Sequence, residues 1–143
     1  MSLPERVVHA RRVGDFGPVI DSVPYFKLLG LRAEASGDKL QIIMSASPEH
    51  VGRTKPPFIH GGIIGALLEA TALLQLLAAD TTHVAKTISI TTDYLRSARI
   101  DDTFAEAFIT RMGRRVASVR VEAWQENRAK PIAQAHGHFL LIA

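Results

Sequence analysis

The longest apolar stretch of the chain covers residues 63–79, and only three polar side chains interrupt it. A helix that is apolar nearly all round must be covered on every side. At about 1.5 Å per residue this stretch reaches roughly 25 Å, which is marginal against a membrane hydrocarbon thickness of about 30 Å. We therefore predict one buried core helix over residues 60–79, and no membrane span.

Alternating apolar and polar positions predict strands on both sides of this helix. Residues 31–35 and 39–46 are expected to form a hairpin around Gly37. After the helix the pattern breaks at residues 81–83. Four more strands are predicted at residues 85–96, 103–112, 115–126 and 131–142.

Two shorter segments lie between these elements. A short helix is predicted over residues 22–29, with Ser22 or Asp21 as its cap and Gly30 at its end. Residues 47–60 are predicted to be an irregular loop, because their prolines and Gly52 argue against a regular element.

The order of elements is typical of an α+β fold with a mainly antiparallel sheet. The chain of 143 residues fits one domain, which we assign to residues 22–143, with residues 1–21 as an N-terminal segment. A sheet with one face in water cannot cover an apolar helix on all sides. Either the sheet curves around the helix or a second subunit covers it.

Composition narrows the possible functions. The chain has no cysteine, which excludes disulfides, thiolate zinc sites and a cysteine nucleophile. This composition and the lack of a visible signal peptide fit the cytoplasmic location that we expect. The net charge of +3 is too small to indicate nucleic-acid binding, whereas the twelve arginines suit an anionic small molecule.

Glu69 is the most conspicuous candidate for chemistry, because it is the lone carboxylate of an apolar helix. Burial there would be costly without a partner and would raise its pKa toward the range of a general base. The alternative is that Glu69 faces solvent on a narrow polar stripe of the helix.

Gly61 and Gly62 stand where the loop becomes the helix. Unpaired N–H groups at a helix start can polarise a carbonyl oxygen, although a plain turn explains the same dipeptide. Gly61 and Glu69 are eight residues apart, or about 12 Å along the axis. If they cooperate, they should come from different subunits, across a dimer interface.

Arginines and histidines give weaker signals. Arg96 and Arg99 end one predicted strand, and clusters at strand ends suit a phosphate-rich ligand, with a solvated turn as the alternative. His136 and His138 share a strand face, but no carboxylate partner or HExxH motif accompanies them, so no metal site is predicted. A second arginine cluster surrounds the turn at Gly113 and consists of Arg111, Arg114 and Arg115.

Four sequence segments resemble the hotdog-fold thioesterases, most closely the PaaI-like branch of phenylacetate degradation. They are HGGIIGALLEA from position 60, TISITTDYLRSA from 87, RMGRRVASV from 111 and AHGHFLL from 135. The resemblance implies a curved antiparallel sheet around one long helix, acyl-CoA thioester substrates, no cofactor, and homodimers that often pair into homotetramers.

The resemblance also implies roles for individual residues. Gly61 would present its N–H to the thioester oxygen, and Glu69 of the facing subunit would be the general base or the nucleophile. Thr87 is similar to a position where a hydroxyl holds the attacking water. Arg96, Arg114 and Arg115 fall where such enzymes often meet the CoA phosphates. We also expect His60 to be among the catalytic residues, and Gly62 and Thr54 to bind substrate.

Two departures from the resemblance keep alternatives open. Many relatives have aspartate where this chain has Glu69, and residues 50–54 lack the asparagine that relatives commonly carry before His-Gly-Gly. We predict an acyl-CoA thioesterase that releases a free acid and CoA. The alternatives are a non-catalytic hotdog protein that binds acyl-CoA, and a hotdog dehydratase, whose paired Asp and His are not evident.

Overall fold

A six-stranded antiparallel sheet surrounds one central helix in the computed structural model, which describes residues 2–79 and 83–142. The helices are α1 (Leu3–Val13), α2 (Gly17–Asp21), α3 (Pro24–Leu29) and α4 (Gly61–Ala79). The strands are β1 (Leu31–Ser36), β2 (Lys39–Met44), β3 (Val51–Thr54), β4 (Pro57–Ile59), β5 (Val84–Tyr94), β6 (Thr103–Met112), β7 (Val116–Trp124) and β8 (Ala133–Ile142). The predicted α+β class is confirmed.

The strand order of the main sheet is β1-β2-β6-β7-β8-β5. Every neighbouring pair is antiparallel, as the short connections predicted. The hairpin β1–β2 and the four long strands appear where the alternation of the sequence indicated. Strand β5 occupies one edge of this sheet and, among the described strands, pairs only with β8, so one side of β5 has no strand partner there.

Helix α4 is the core helix that its apolar sequence predicted. It packs against five of the six strands, namely β2, β5, β6, β7 and β8. Leu67, Leu68 and Leu74 are fully buried, and each such side chain contributes about 1.5–3 kcal/mol of hydrophobic stabilisation. By length and composition the helix could cross a membrane, but its packing on the sheet makes it the centre of the domain.

A bulge in β5 controls which side chains of that strand face the helix. Thr87 pairs with Phe139 and Ser89 pairs with His138, so Ile88 is an extra residue. A one-residue insertion reverses the alternation of faces beyond it. Thr87 therefore lies on the partly buried, helix-facing side, whereas Ile88 is 57% exposed at the sheet edge.

The N-terminal segment contains two helices that the sequence analysis did not assign. Ser2 and Glu5 form a reciprocal capping box at the start of α1. One face of α1 buries Val7, and Phe16 and Ile20 are buried at and within α2, all in the same hydrophobic core as α4. Residues 3–21 are thus part of the packed structure.

The prediction that residues 47–60 are irregular was wrong. A single 3-10 turn, Pro48–His50, leads into the small hairpin of β3 and β4. The residues that argued against regular structure sit where a hairpin tolerates them. Pro57 begins β4, where the lack of an N–H is harmless, and Gly52 makes a close contact described below.

The short helix before β1 also differs from its prediction. It begins at Pro24, and its N-cap is Val23, whose side chain makes no capping hydrogen bond. Ser22 instead ends α2, where its hydroxyl donates to the Val19 carbonyl at 2.6 Å. Gly30 closes the helix in the left-handed conformation, as predicted. Two residues of the predicted 81–83 break, 81 and 82, lie outside the described residues.

Candidate active site

The β3–β4 hairpin holds the residue that precedes helix α4. The His60 N–H donates to the His50 carbonyl at 2.8 Å, and the Ile59 N–H donates to the Ala98 carbonyl at 2.8 Å. A Cβ at Gly52 would lie 2.6 Å from the Cα of His60. Because that distance is far below van der Waals contact, only glycine lets β3 approach the start of the helix this closely.

The start of α4 has one free backbone donor. The Gly62 N–H donates to the Nδ1 atom of His60 at 2.9 Å. The His60 carbonyl accepts from the N–H groups of Ile63 at 2.9 Å and Ile64 at 3.2 Å. Within the part of the chain that the structure describes, the Gly61 N–H has no acceptor. Of the two glycines proposed from the sequence, Gly61 therefore offers its amide, and Gly62 uses its amide in the turn.

Tyr94 meets this helix start from the end of β5. Its hydroxyl donates to the Gly61 carbonyl at 2.7 Å, and its ring stands 3.4 Å from where a Cβ at Gly61 would be. The sequence analysis gave Tyr94 no role, although the residue stands in the Asp-Tyr-Leu-Arg motif that carried the resemblance.

A cleft of about 350 Å³ opens beside the free amide. Gly61, Ile64 and Tyr94 line it on one side. Arg96, a predicted phosphate contact, also lines it, and its guanidinium donates to the Pro131 carbonyl at 2.7 Å. The remaining lining residues are Phe58, Ile59, Leu95, Ser97, Ala98 and Ile132.

Glu69 lies on α4 between the buried Leu68 and Ala70, and is itself only partly buried within one chain. No described residue gives its carboxylate a hydrogen bond or an ion pair. The full burial expected from the sequence is therefore not reached within a single subunit. Its position eight residues after Gly61 keeps it about 12 Å from the free amide.

Two other predicted site residues, Thr87 and Thr54, lie away from the start of α4. Thr87 faces the helix side of β5, seven residues before Tyr94, and no hydrogen bond links it to Glu69 among the described residues. Thr54 is exposed at the tip of the β3–β4 hairpin, opposite Pro57. The single chain thus brings His60, Gly61, Gly62 and Arg96 together, and leaves Glu69, Thr87 and Thr54 apart from them.

The predicted arginines lie at opposite ends of the sheet. Tyr94, two residues before Arg96, pairs with Ala133, whereas Val116, next to Arg115, pairs with Leu140. Seven residues along β8 correspond to about 23 Å. Arg114 and Arg115 are exposed in the β6–β7 turn, where Arg111, Arg114, Ser118 and His138 line a second cleft of about 390 Å³.

Arg99 is held in ion pairs with two carboxylates of its own chain. It pairs with Glu126 at 2.5 Å and with Asp101 at 3.6 Å, and the hydrogen bond that its guanidinium donates to Glu126 raises the pKa of Arg99. His136 and His138 lie on the exposed face of β8. Over residues 2–79 and 83–142 no cluster of three or more histidine, aspartate and glutamate side chains could hold a metal ion.

Solved structures identify the class of this fold. A protein of Chromobacterium violaceum is 33% identical, with a TM-score of 0.78 over 96% of both chains. The phenylacetic acid degradation protein PaaI from Thermus thermophilus, in a mutant form, is 25% identical, with a TM-score of 0.69 over 82% of this chain and 98% of that one. A phenylacetic acid degradation-related protein from Ralstonia eutropha is 22% identical, with a TM-score of 0.75 over 87% of this chain and 98% of that one. The fold is the hotdog fold.

The family follows from the sequence as well. Residues 57–132 match the profile of the thioesterase superfamily, a region that contains the hairpin strand β4, helix α4 and strands β5 to β7. The chain belongs to the thioesterase superfamily. No protein of curated function matches its sequence.

Proposed function

We propose that this protein is an acyl-CoA thioesterase, which hydrolyses a thioester to a free carboxylic acid and CoA. The observation that carries the proposal is the Gly61 N–H at the start of α4, which finds no acceptor among the described residues and lies beside a cleft large enough for part of an acyl chain. Membership of the thioesterase superfamily supports the thioester as the bond that is broken.

The Gly61 N–H would donate a hydrogen bond to the carbonyl oxygen of the thioester. As water or a carboxylate attacks the carbonyl carbon, negative charge develops on that oxygen, and a fixed N–H donor stabilises it. Glu69 of a second subunit would remove the proton of water as general base, or attack the carbon itself. Thr87 would hold the attacking water. On the general-base route the C–S bond then breaks, the free acid forms directly, and the CoA thiolate takes up a proton. If Glu69 attacks the carbon itself, cleavage of the C–S bond leaves a mixed anhydride on Glu69, which water hydrolyses to the free acid.

A dimer through the free edge of β5 would complete such a site. Val84 and Ile88 are 47% and 57% exposed on this edge strand, and an unpaired edge of this kind pairs readily with another strand. A two-fold axis would pair β5 antiparallel with its copy. The Tyr94 end of one β5 strand would then lie beside the Val84 end of the other. The far end of the second subunit's sheet, which carries Arg114 and Arg115, would therefore lie on the Gly61 side.

This arrangement would bring Arg96 of one subunit and Arg114 and Arg115 of the other to one ligand. Arginine recognises phosphate through paired N–H donors as well as through charge, which suits the phosphates of CoA. We further propose a homodimer or homotetramer that acts in the cytoplasm and needs no cofactor or metal.

Thiol release from a panel of acyl-CoA substrates tests the proposed reaction. The panel includes aryl thioesters and short, medium and long aliphatic thioesters. Glu69→Gln should lower kcat on the best substrate at least about a hundredfold, because general bases contribute about 10²–10⁴-fold. Gly61→Pro should have a comparable effect, since proline removes the N–H and is tolerated at the first helical position.

Gly61→Ala is the matched control for the proline variant. It keeps the amide, and its Cβ would stand at an ordinary 3.4 Å from the Tyr94 ring. A Glu69→Gln protein that hydrolyses its best substrate at the wild-type rate would contradict the role of Glu69. Calorimetric binding of CoA without turnover of any panel member would instead favour a protein that binds acyl-CoA without hydrolysing it.

A further inference from the structure

The peptide unit between Gly61 and Gly62 is held at both of its polar ends. Its carbonyl accepts the hydroxyl hydrogen of Tyr94 at 2.7 Å. Its N–H donates to the Nδ1 atom of His60 at 2.9 Å. A peptide unit is a rigid plane, so these two bonds together fix its orientation.

In the preceding peptide unit, between His60 and Gly61, only the carbonyl is hydrogen-bonded among the described residues. The His60 carbonyl accepts from the N–H groups of Ile63 and Ile64, while no residue in 2–79 or 83–142 accepts from the Gly61 N–H. Glycine has little steric preference of its own between backbone conformations. The direction of the Gly61 N–H therefore depends on the hydrogen bonds on either side of it.

Tyr94 is fitted closely to this part of the helix. A Cβ at Gly65, one turn after Gly61, would lie 3.2 Å from the Tyr94 hydroxyl oxygen. Glycine at position 65 thus leaves the space that the hydroxyl occupies. Since glycine in a helix interior is unfavourable relative to alanine, this space is maintained against local helix propensity.

We propose that Tyr94 is a positioning residue, which fixes the direction of the Gly61 N–H by holding the adjacent carbonyl. The inference rests on the proposed function, in which that N–H binds the thioester oxygen. A donor that is aimed before the reaction costs no reorganisation when charge develops. Tyr94 acts through the backbone and needs no contact with the reacting atoms.

Two variants loosen this arrangement by different routes. Tyr94→Phe keeps the ring and removes the hydroxyl. Gly65→Ala keeps Tyr94, but the added Cβ should displace its hydroxyl. Alanine also has a higher helix propensity than glycine. Both should lower kcat about ten- to a hundredfold, because small displacements of a catalytic group are costly, and KM should change less than about threefold. Tyr25→Phe, at the exposed second tyrosine of the chain, is the matched control and should leave both constants unchanged.

Gly65→Ala separates positioning from a general loss of structure. Alanine should leave the unfolding temperature the same or higher, while kcat falls. Wild-type kcat in both Tyr94→Phe and Gly65→Ala would overturn the inference. So would a fall in kcat that only follows a fall in the unfolding temperature.

Nuclear magnetic resonance of the free protein, labelled with ¹⁵N-glycine, tests the same inference without substrate. Tyr94→Phe should shift the Gly61 and Gly62 amide signals and accelerate exchange of the Gly62 N–H at least about threefold. Tyr25→Phe should do neither. Unchanged signals and exchange in Tyr94→Phe would overturn the positioning role, even if kcat falls through direct contact with substrate. If the wild type hydrolyses no thioester, the proposed function fails, and this measurement still decides whether Tyr94 fixes the helix start.

Discussion

His50 illustrates how much a single buried side chain can contribute to the behaviour of this fold. The residue is 4% exposed in the turn before β3, and its Nδ1 atom has no hydrogen-bond partner within residues 2–79 and 83–142. Burial disfavours the charged imidazolium and lowers the pKa of His50 below its ordinary value of 6.5, an effect that the carboxylate of Glu49 partly opposes. The residue is therefore neutral in the folded protein at pH 7.

Stability should fall as the pH drops below about 6.5 because of His50. In that range the unfolded chain takes up a proton that the folded protein resists, so protonation favours unfolding. Urea unfolding at several pH values between 7.5 and 5 should show a smaller loss of stability in His50→Leu than in the wild type. His136→Gln, at an exposed histidine on β8, controls for the removal of a histidine. Equal slopes in wild type and His50→Leu would contradict this account.

At the scale of whole elements, α1 and α2 test whether the N-terminal segment is part of the cooperative fold. Phe16→Ala removes a side chain that is 1% exposed and should reduce the free energy of unfolding by about 3–5 kcal/mol. Val8→Ala, at a 56% exposed position of α1, should change it by less than about 0.5 kcal/mol. Urea unfolding followed by circular dichroism measures both. A Phe16→Ala protein as stable as the wild type would show that residues 3–21 are not needed by the core.

The elements that could be predicted from the sequence are those whose pattern is long and regular. Helix α4 is apolar over five turns, and the four long strands alternate over nine or more residues. Helix α1 was missed because its buried face is narrow, with Val7 and Ala10 as its buried residues. The capping box of Ser2 and Glu5 was the signal that could have identified it.

The candidate site was predictable only in part, for a physical reason. Gly61 and Glu69 stand out locally, as a helix-start glycine and as an acid in an apolar helix. Gly52 and Tyr94 act through contacts with residues eight and 33 positions away in the chain. Such contacts are set by the register of the folded strands, which a pattern of residue types does not display.

At the scale of the whole molecule, the distance of about 12 Å between Gly61 and Glu69 predicts that each active site is shared between two subunits. If one site takes its amide from one subunit and its carboxylate from the other, two different inactive variants should complement each other. In a dimer of one Gly61→Pro chain and one Glu69→Gln chain, one site carries both defects. The other site takes Gly61 and Glu69 from the unmodified positions of each chain and is intact.

Refolding the two variants together at equal concentration should therefore restore activity. Half of the dimers would be mixed and each would carry one intact site, so about a quarter of the wild-type thiol release should return. Each variant refolded alone should stay inactive, and native mass spectrometry of the mixture measures how much mixed dimer has formed. Ile88→Lys, which places a charge on the β5 edge, should prevent complementation and yield a monomer in sedimentation experiments. If the mixture of inactive variants regains no activity while subunits exchange, both groups belong to the same chain, and α4 would have to bend or partly unwind for them to meet.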